Sequence, residues 1–505
     1  MNIVIVGGGT AGWLAALLIE KVWEQHNITL IESSKIGIIG AGEGSTGTFT
    51  SLIRGTLIDL GCSLEEFIAQ TGATLKYGIL HKNWNKTADK EYFGPLGGTL
   101  TATNFRDWQG LSAIAEDKDN VHLTTIEGVM WENNKSPYHP ITKFEKNENV
   151  EHHYSFHFDA HKVGKYFKSK TKRVKDIDAV VEEVFLDNQG NIKELKLDND
   201  QILKGDFFID ASGFARVLMN KLDNKWISYS KHLPVNSAMP FLLPNEEIIK
   251  PHTLAWAQKY GWMWQIPLLT RRGCGYVFCD DFTTPEKAQE EIETVLGHPI
   301  EPIKVLKFDT GKLEKIWHKN CLAIGLAGAF AEPLEATSIH STIVQLVYFV
   351  YNGIPQSSTT YVHNESIVSN YNYYINLLFE NYRDFLNIHY MGGRTDTDFW
   401  RYMSSDEAKT EKTKLILDIA KHRSPNSKDF INLDGSAGYD IWFFVLAGLG
   451  IINPNICKEE LKLCNFDYQI KDFEKYQLNL YSQNLPYDKF IERMQQKHNA
   501  YTLNS

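Results

Sequence analysis

Residues 7–12 read Gly-Gly-Gly-Thr-Ala-Gly, and what flanks them restricts the fold more than any other stretch of the chain. Before them stands NIVIV (2–6), apolar and β-branched after its first residue, as a strand requires. After them Trp13, Leu14, Leu17, Leu18 and Trp23 recur at helical spacing. A second apolar run, ITLIES (28–33), places Glu32 twenty positions beyond Gly12. Strand, glycine turn, helix and second strand make a βαβ unit that ends on an acid. In such a unit Gly7 permits the tight turn, Gly9 lets backbone approach a pyrophosphate, and Gly12 lets the helix pack on the strand. The phosphates then sit on the helix N-terminus, where Thr10 and Ala11 stand, and Glu32 is placed for ribose hydroxyls.

At 505 residues the chain has length for more than one core, and a formal net charge of -10 argues against electrostatic binding to nucleic acid or anionic lipid. The expected partner is a small molecule. No basic n-region and cleavage site precede NIVIV, so the expectation is no secretory signal and a cytoplasmic protein. The longest uncharged apolar run, Ile441 to Ile452, is 12 residues with two glycines, short of the ~20 a bilayer requires. Six cysteines (62, 274, 279, 321, 457 and 464) are scattered without zinc-type spacing; reduced, structural thiols and no metal are expected.

Turns and strands alternate to about residue 350, including EVFLD and IKELKLDN around the NQGN turn at 188–191. From about residue 337 the texture becomes helical: SIHSTIVQLVYFVYNGIP has helical spacing, Gly353 as its C-terminal cap and Pro355 beyond. A second nucleotide motif lies in DFFIDASGFAR (206–216), an apolar strand ending in Asp210 followed by Ser212 and Gly213. It resembles the motif of large FAD-dependent monooxygenases in which the acid contacts the ribityl chain, and with the first motif it favours FAD.

GWMWQIPL (261–268) sets two indoles one residue apart. Trp262-x-Trp264-x-Ile266-Pro267 resembles the WxWxIP signature of flavin-dependent halogenases of the tryptophan halogenase type. IGAGEGST (39–46), with Gly42 and Glu43, is similar to the family's G-x-G-E segment, and GATLKYG (72–78) to its lysine strand. GYVF (275–278), GLAGAFAEPLEATSI (325–339) and HYMGGRTDTDFW (389–400) resemble three further family segments. The likeness spans most of the chain. It implies a doubly wound α/β Rossmann-type FAD-binding module of the flavin monooxygenase type with a mostly helical substrate lobe. We place the module at 1–350, with inserted substrate-side segments at about 81–150 and 225–300, and the C-terminal lobe at 351–505.

The chemistry the resemblance implies makes specific demands. Reduced flavin and O2 generate an oxidant that either hydroxylates an aromatic directly or is captured by halide as hypohalous acid. Trp262 and Trp264, on one strand face because side chains alternate with period 2, would wall flavin from substrate. By resemblance Lys76 delivers the oxidant, hydrogen-bonded or as a haloamine, and Glu335 polarises it and accepts the ring proton. Lys82, on the same face of a regular strand, and Glu332 are the competing lysine and carboxylate. Thr337 and Ser338 open the next helix, whose N–H groups would hold chloride, bromide or iodide. Gly325 and Leu334 complete the expected cofactor contacts.

Two departures stand out: Ala41 and Gly44-Ser45 around Glu43, and His81-Lys82 where the lysine strand is expected to stay apolar. Tyr439 and Trp442 are substrate-side candidates by location, and core residues by spacing. The expectation is a two-component enzyme that halogenates an electron-rich indole or phenol with FADH2 from a separate NAD(P)H-dependent reductase; homo-oligomerisation is allowed. An aromatic hydroxylase and a non-catalytic flavin-binding protein are the alternatives.

Overall fold

The computed structural model describes residues 1–37, 42–56, 61, 64–87, 90–97, 102–103, 106–137, 154–354, 358–463 and 470–504. Gly40 and Ala41 of the G-x-G-E segment, Cys62, Cys464, Pro355 and the end of the expected 81–150 insertion lie outside them.

The predicted βαβ unit is present: Asn2–Val6, a helix Thr10–Val22, and Asn27–Glu32 parallel to the first strand. These belong to a six-stranded sheet in the order Lys175–Asp178, Asn27–Glu32, Asn2–Val6, Phe207–Asp210, Cys321–Ala323, Trp317–His318, parallel except for the last strand. Val6 pairs with Asp210 and Asp210 with Ala323, so three strands end together at one edge. Turns leaving the carboxyl ends of parallel strands are where doubly wound folds bind ligands. Here those turns carry Gly7, Gly213 and Gly325. The NQGN turn joins Val181–Leu186 to Ile192–Leu197 as an antiparallel pair, as its sequence requires.

Both expected insertions contribute to one seven-stranded sheet, ordered Leu306–Lys307, Ser237–Leu243, Arg272–Phe278, Gly261–Pro267, His252–Ala257, Gly78–Lys82, Glu91–Pro95. A three-stranded sheet brings two distant motifs together. Its central strand Ser155–Phe158 pairs Glu43 with Phe158 on one side and Lys76 with Ser155 on the other.

The helical texture begins at Thr337, where a helix runs to Asn352. Gly353 ends it with an N–H bond to Phe349 O, but at φ −84° rather than in a left-handed cap. A Cβ there would come within 2.6 Å of that carbonyl, which accounts for the glycine. The 25-residue helix Glu365–His389 starts on an Asn364 cap, whose side chain accepts from Ile367 N, and ends on His389. The C-terminal half is not a detached lobe. Helix Tyr487–Asn504 returns to the N-terminal half, its Tyr487 hydroxyl donating to Leu75 O beside Lys76 and its His498 bonding Ala69 O. Among the described residues no helix is long and apolar enough to cross a membrane. The apolar stretch 441–452 lies mostly in the helix Tyr439–Gly448, with Trp442 fully buried and Tyr439 against Phe430, so both pack in the core.

Candidate active site

The glycine turn is open where a phosphate needs it to be. Gly7 (φ +121°) lies so close to Ala211 O that a Cβ would stand 2.2 Å away, and a Cβ on Gly12 would reach Gly7 O at 1.8 Å. Gly9 has nothing within 4 Å of a Cβ position and caps the helix without a side-chain hydrogen bond. The first helical N–H groups are thus left for an anion. Glu32 is held by Trp13 Nε1 (3.0 Å) and Lys168 Nζ (2.6 Å), which fixes its carboxylate beside Gly8. Thr10 spends its hydroxyl on Ala160 O, so it takes part in the turn through its backbone. Ala11 meets Gly325 (φ +58°) at 3.2 Å from a built Cβ, which joins the first motif to the EPLEATS region. These features fit an FAD pyrophosphate. Asp210 departs from expectation: it is fully buried, and its oxygens accept from Ser212 N and Oγ, Leu218 N and Met219 N. A carboxylate that organises its own turn has no exposed atom for a ribityl chain; the open position is Gly213, at φ +67° with nothing near it.

A cavity of about 180 Å³ opens beyond that turn. Gly42, Glu43, Gly44, Lys76, Trp264, Leu334, Ala336 and Ser338 are among its walls. Thus the GEG segment, the lysine strand, the tryptophan strand and the EPLEATS region meet at one place. Lys76 is 1% exposed and makes no hydrogen bond among the described residues; its Nζ would stand 3.3 Å from a Cβ on Gly44. Burial lowers its ammonium to about 8, against the opposing pull of the Glu335 carboxylate. The amine is then ~10% neutral at pH 7, against ~0.04% for an ordinary lysine. Lys82 is not on the same face as Lys76. The chain leaves the small sheet at Lys76 and enters the seven-stranded sheet at Gly78, so Lys82 lies elsewhere, paired to Glu91 and over Trp256.

Trp264 and Trp262 share a strand face, with ring centroids 6.3 Å apart, but only Trp264 lines the cavity. Trp262 lies behind it near Trp84 and is buried. The expected wall is therefore one indole backed by another. Gly275, paired across from Trp264, makes this possible, because a Cβ there would stand 2.1 Å from the indole.

The halide expectation falls on the start of helix Thr337–Asn352. Its cap residue, Ala336, is left-handed (φ +54°) and supplies no side-chain hydrogen bond, and Ser338 faces the cavity while Thr337 is buried. A non-glycine residue held in that conformation costs ~1–2 kcal/mol. It turns the chain so that unbonded helix N–H groups sit next to the cavity.

The two carboxyl candidates separate cleanly. Glu332 is fully buried, accepts from the Tyr390 hydroxyl, and is pushed by burial to about 8. Glu335 is 18% exposed and accepts from His389 Nε2 at 2.8 Å, with His81 Nε2 at 3.4 Å from the same oxygen. Burial pushes the Glu335 carboxyl up, but the His389 and His81 imidazoles more than offset it and hold it well below the usual range. At neutral pH Glu335 is held ionised, whereas burial favours the neutral form of Glu332. Glu43, raised to about 7 by burial and Asp159, puts a carboxyl on the wall of the cavity, which neither Glu332 nor Glu335 lines.

The tryptophan halogenase family profile matches residues 2–462. The chain belongs to that family. It is similar to tryptophan 7-halogenase RebH of Lentzea aerocolonigenes, 29% identical with 89% of this chain and 90% of the relative covered. Tryptophan 6-halogenase SttH of Streptomyces toxytricini is also 29% identical, over 84% of this chain and 83% of its own. Among solved structures, the flavin-dependent halogenase Xcc4156 of Xanthomonas campestris superposes with a TM-score of 0.83 at 26% identity, covering 98% of both chains. The protein is thus a flavin-dependent halogenase, an oxidoreductase with an FAD-binding Rossmann-type fold that uses FADH2 and a halide co-substrate. Enzymes of this family act on aromatic substrates and need a separate flavin reductase.

Four neighbours of the site escaped sequence reasoning in their roles. Gly275 stood in a quoted motif without its packing function, and His389 opened one; His81 was visible only as a polar interruption. Tyr390, which fixes Glu332, stood second in the same segment as His389 without a role assigned to it.

Proposed function

We propose that this enzyme delivers hypohalous oxidant through Lys76, with Glu335 as proton acceptor, to one carbon of an electron-rich aromatic of indole or phenol type. The observation that carries this reading is the enclosed Lys76 amine, lowered to about 8, in a cavity walled by Trp264 and the uncapped helix start at Ala336–Ser338.

FADH2, when bound, supplies with O2 the oxidising equivalents that turn halide into hypohalous acid. Gly9 and the N–H groups at Thr10 and Ala11 would hold its pyrophosphate, with Gly42, Leu334 and Trp264 bordering the ring. Helix N–H groups at Thr337 and Ser338 would hold the halide. Trp264, backed by Trp262, keeps the organic substrate from the flavin side. Lys76 Nζ then orients the oxidant, and Glu335 takes the proton from the ring carbon as aromaticity returns. General-base assistance of this kind contributes ~10²–10⁴ in rate.

The test is mass spectrometry of an indole and phenol panel incubated with the protein, FAD, a flavin reductase, NADH, O2 and bromide. A bromine isotope doublet supports the reading. A hydroxylated product would make the enzyme an aromatic monooxygenase on this substrate, and flavin binding without turnover of any aromatic would favour a non-catalytic role.

A further inference from the structure

His81, Glu335 and His389 come from a strand, a loop and a helix end, and one ligand atom of each lies within 4.8 Å of the others. We propose that these three side chains bind a divalent transition-metal ion of the Zn²⁺, Co²⁺ or Ni²⁺ class, and that the bound ion withdraws Glu335 from proton transfer. The first part is independent of the reaction; the second rests on the role proposed for Glu335.

The ring orientations favour coordination. His389 Nδ1 lies 2.8 Å from Phe385 O, and a carbonyl only accepts, so Nδ1 carries the proton and Nε2 is presented to Glu335. A histidine whose far N–H is anchored on a backbone carbonyl is the usual arrangement of a metal ligand. His81 is fully buried, and its one polar contact is the 3.4 Å approach of Nε2 to Glu335 Oε1, too loose to satisfy either ring nitrogen well. Its ring is held by stacking on Tyr92, with centroids 4.5 Å apart and planes 6° from parallel. The histidine interrupts a strand segment otherwise expected to be apolar.

The spacing of each imidazole from the carboxylate also matches. Ligand atoms 2.0–2.1 Å from an ion stand ~2.9 Å apart at octahedral and ~3.3 Å apart at tetrahedral edges. The two Nε2 to Oε1 distances are 2.8 and 3.4 Å. Two imidazoles and one carboxylate suit Zn²⁺, Co²⁺ or Ni²⁺ better than the hard cations Mg²⁺ and Ca²⁺, which take all-oxygen shells. Ligation draws electron density from the Glu335 carboxylate and makes it a weaker base for the ring proton, so halogenation slows until the ion is removed.

Chelator-treated protein is titrated with CoCl2 under argon, without flavin or halide, and followed by visible absorption; ZnCl2 binding is followed by calorimetry. The expected result is one Co²⁺ per chain with ligand-field bands that ZnCl2 abolishes, and loss of the bands in His81→Phe and His389→Asn. His81→Gln serves if His81→Phe does not fold, and circular dichroism checks each variant. Absence of bands in the wild type, or undiminished bands in folded His81 variants, overturns the site. Zn²⁺ is then expected to suppress product formation and EDTA to restore it. Metal uptake with undisturbed halogenation would uphold the site but overturn the withdrawal of Glu335, and with it that residue's catalytic role.

Discussion

Lys76→Met should make the protein more stable while removing halogenation. The lysine is 1% exposed, and burial takes its ammonium from 10.5 to about 8. At 1.36 kcal/mol per tenfold change in proton affinity, the charged form is ~3 kcal/mol less at home in the folded protein than in the unfolded chain. The sign follows from proton binding: between about 8 and 10.5 the unfolded chain holds more protons, so wild-type stability rises with pH across that window. Below about 8 both states are protonated and the whole penalty applies. Methionine fills nearly the same volume without charge, and a swap of similar shape costs less than ~1.5 kcal/mol. Lys76→Met should therefore gain about 2 kcal/mol at pH 7 and progressively lose that advantage towards pH 10.5. Urea unfolding of both proteins at pH 7 and pH 10, followed by tryptophan fluorescence, measures the difference; subtraction removes other groups that titrate there. An advantage that is absent at pH 7, or does not shrink by pH 10, would refute the claim of a destabilised buried ammonium.

Glu335→Gln should lower halogenation by ~10²–10³ while FAD binding, measured by flavin fluorescence, stays within a few-fold; loss of flavin would make the carboxylate structural. Gly275→Ala forces a methyl group toward the Trp264 indole, where a Cβ would stand 2.1 Å away. It should cost ~1–3 kcal/mol and displace Trp264 into the cavity, read as lost halogenation with a changed tryptophan emission. Glu332, raised from 4.5 to about 8, contributes stability below 4.5 that is lost as pH rises to 8. Glu332→Gln should accordingly unfold at higher urea than wild type at pH 8, with the difference nearly gone at pH 4; a variant weaker at both pH values would show that the carboxylate is ionised and needed.

The parts of the site that sequence made legible are those encoded within a few residues. The GGGTAG turn between a β-branched strand and an apolar-faced helix can fold in few ways, and the structure has it. Two indoles at period 2 do share a face, yet which of them borders a cavity depends on Gly275, eleven residues beyond Trp264 on the neighbouring strand. Lys82 misled because a strand was read straight through Tyr77, whereas Lys76 and Lys82 belong to different sheets. Asp210 was legible as a strand-end acid, but its hydrogen bonds to the turn at 212–219 were not, since they depend on how that turn closes. His81 and His389 converge on Glu335 from separations of 254 and 54 residues. No local pattern reports such a meeting; the surviving signal was a polar residue in a strand that had no evident use for one.

Halogen transfer through Lys76 is the central claim, and one paired assay tests it most directly. Wild type and Lys76→Met are given equal FADH2 turnover with O2, bromide and an accepted aromatic, and brominated product is quantified alongside hypobromite captured by a soluble scavenger. The account predicts brominated aromatic with wild type only, and captured hypobromite with Lys76→Met. Equal brominated product from both proteins, with the scavenger and catalase present to remove free oxidant, would contradict it.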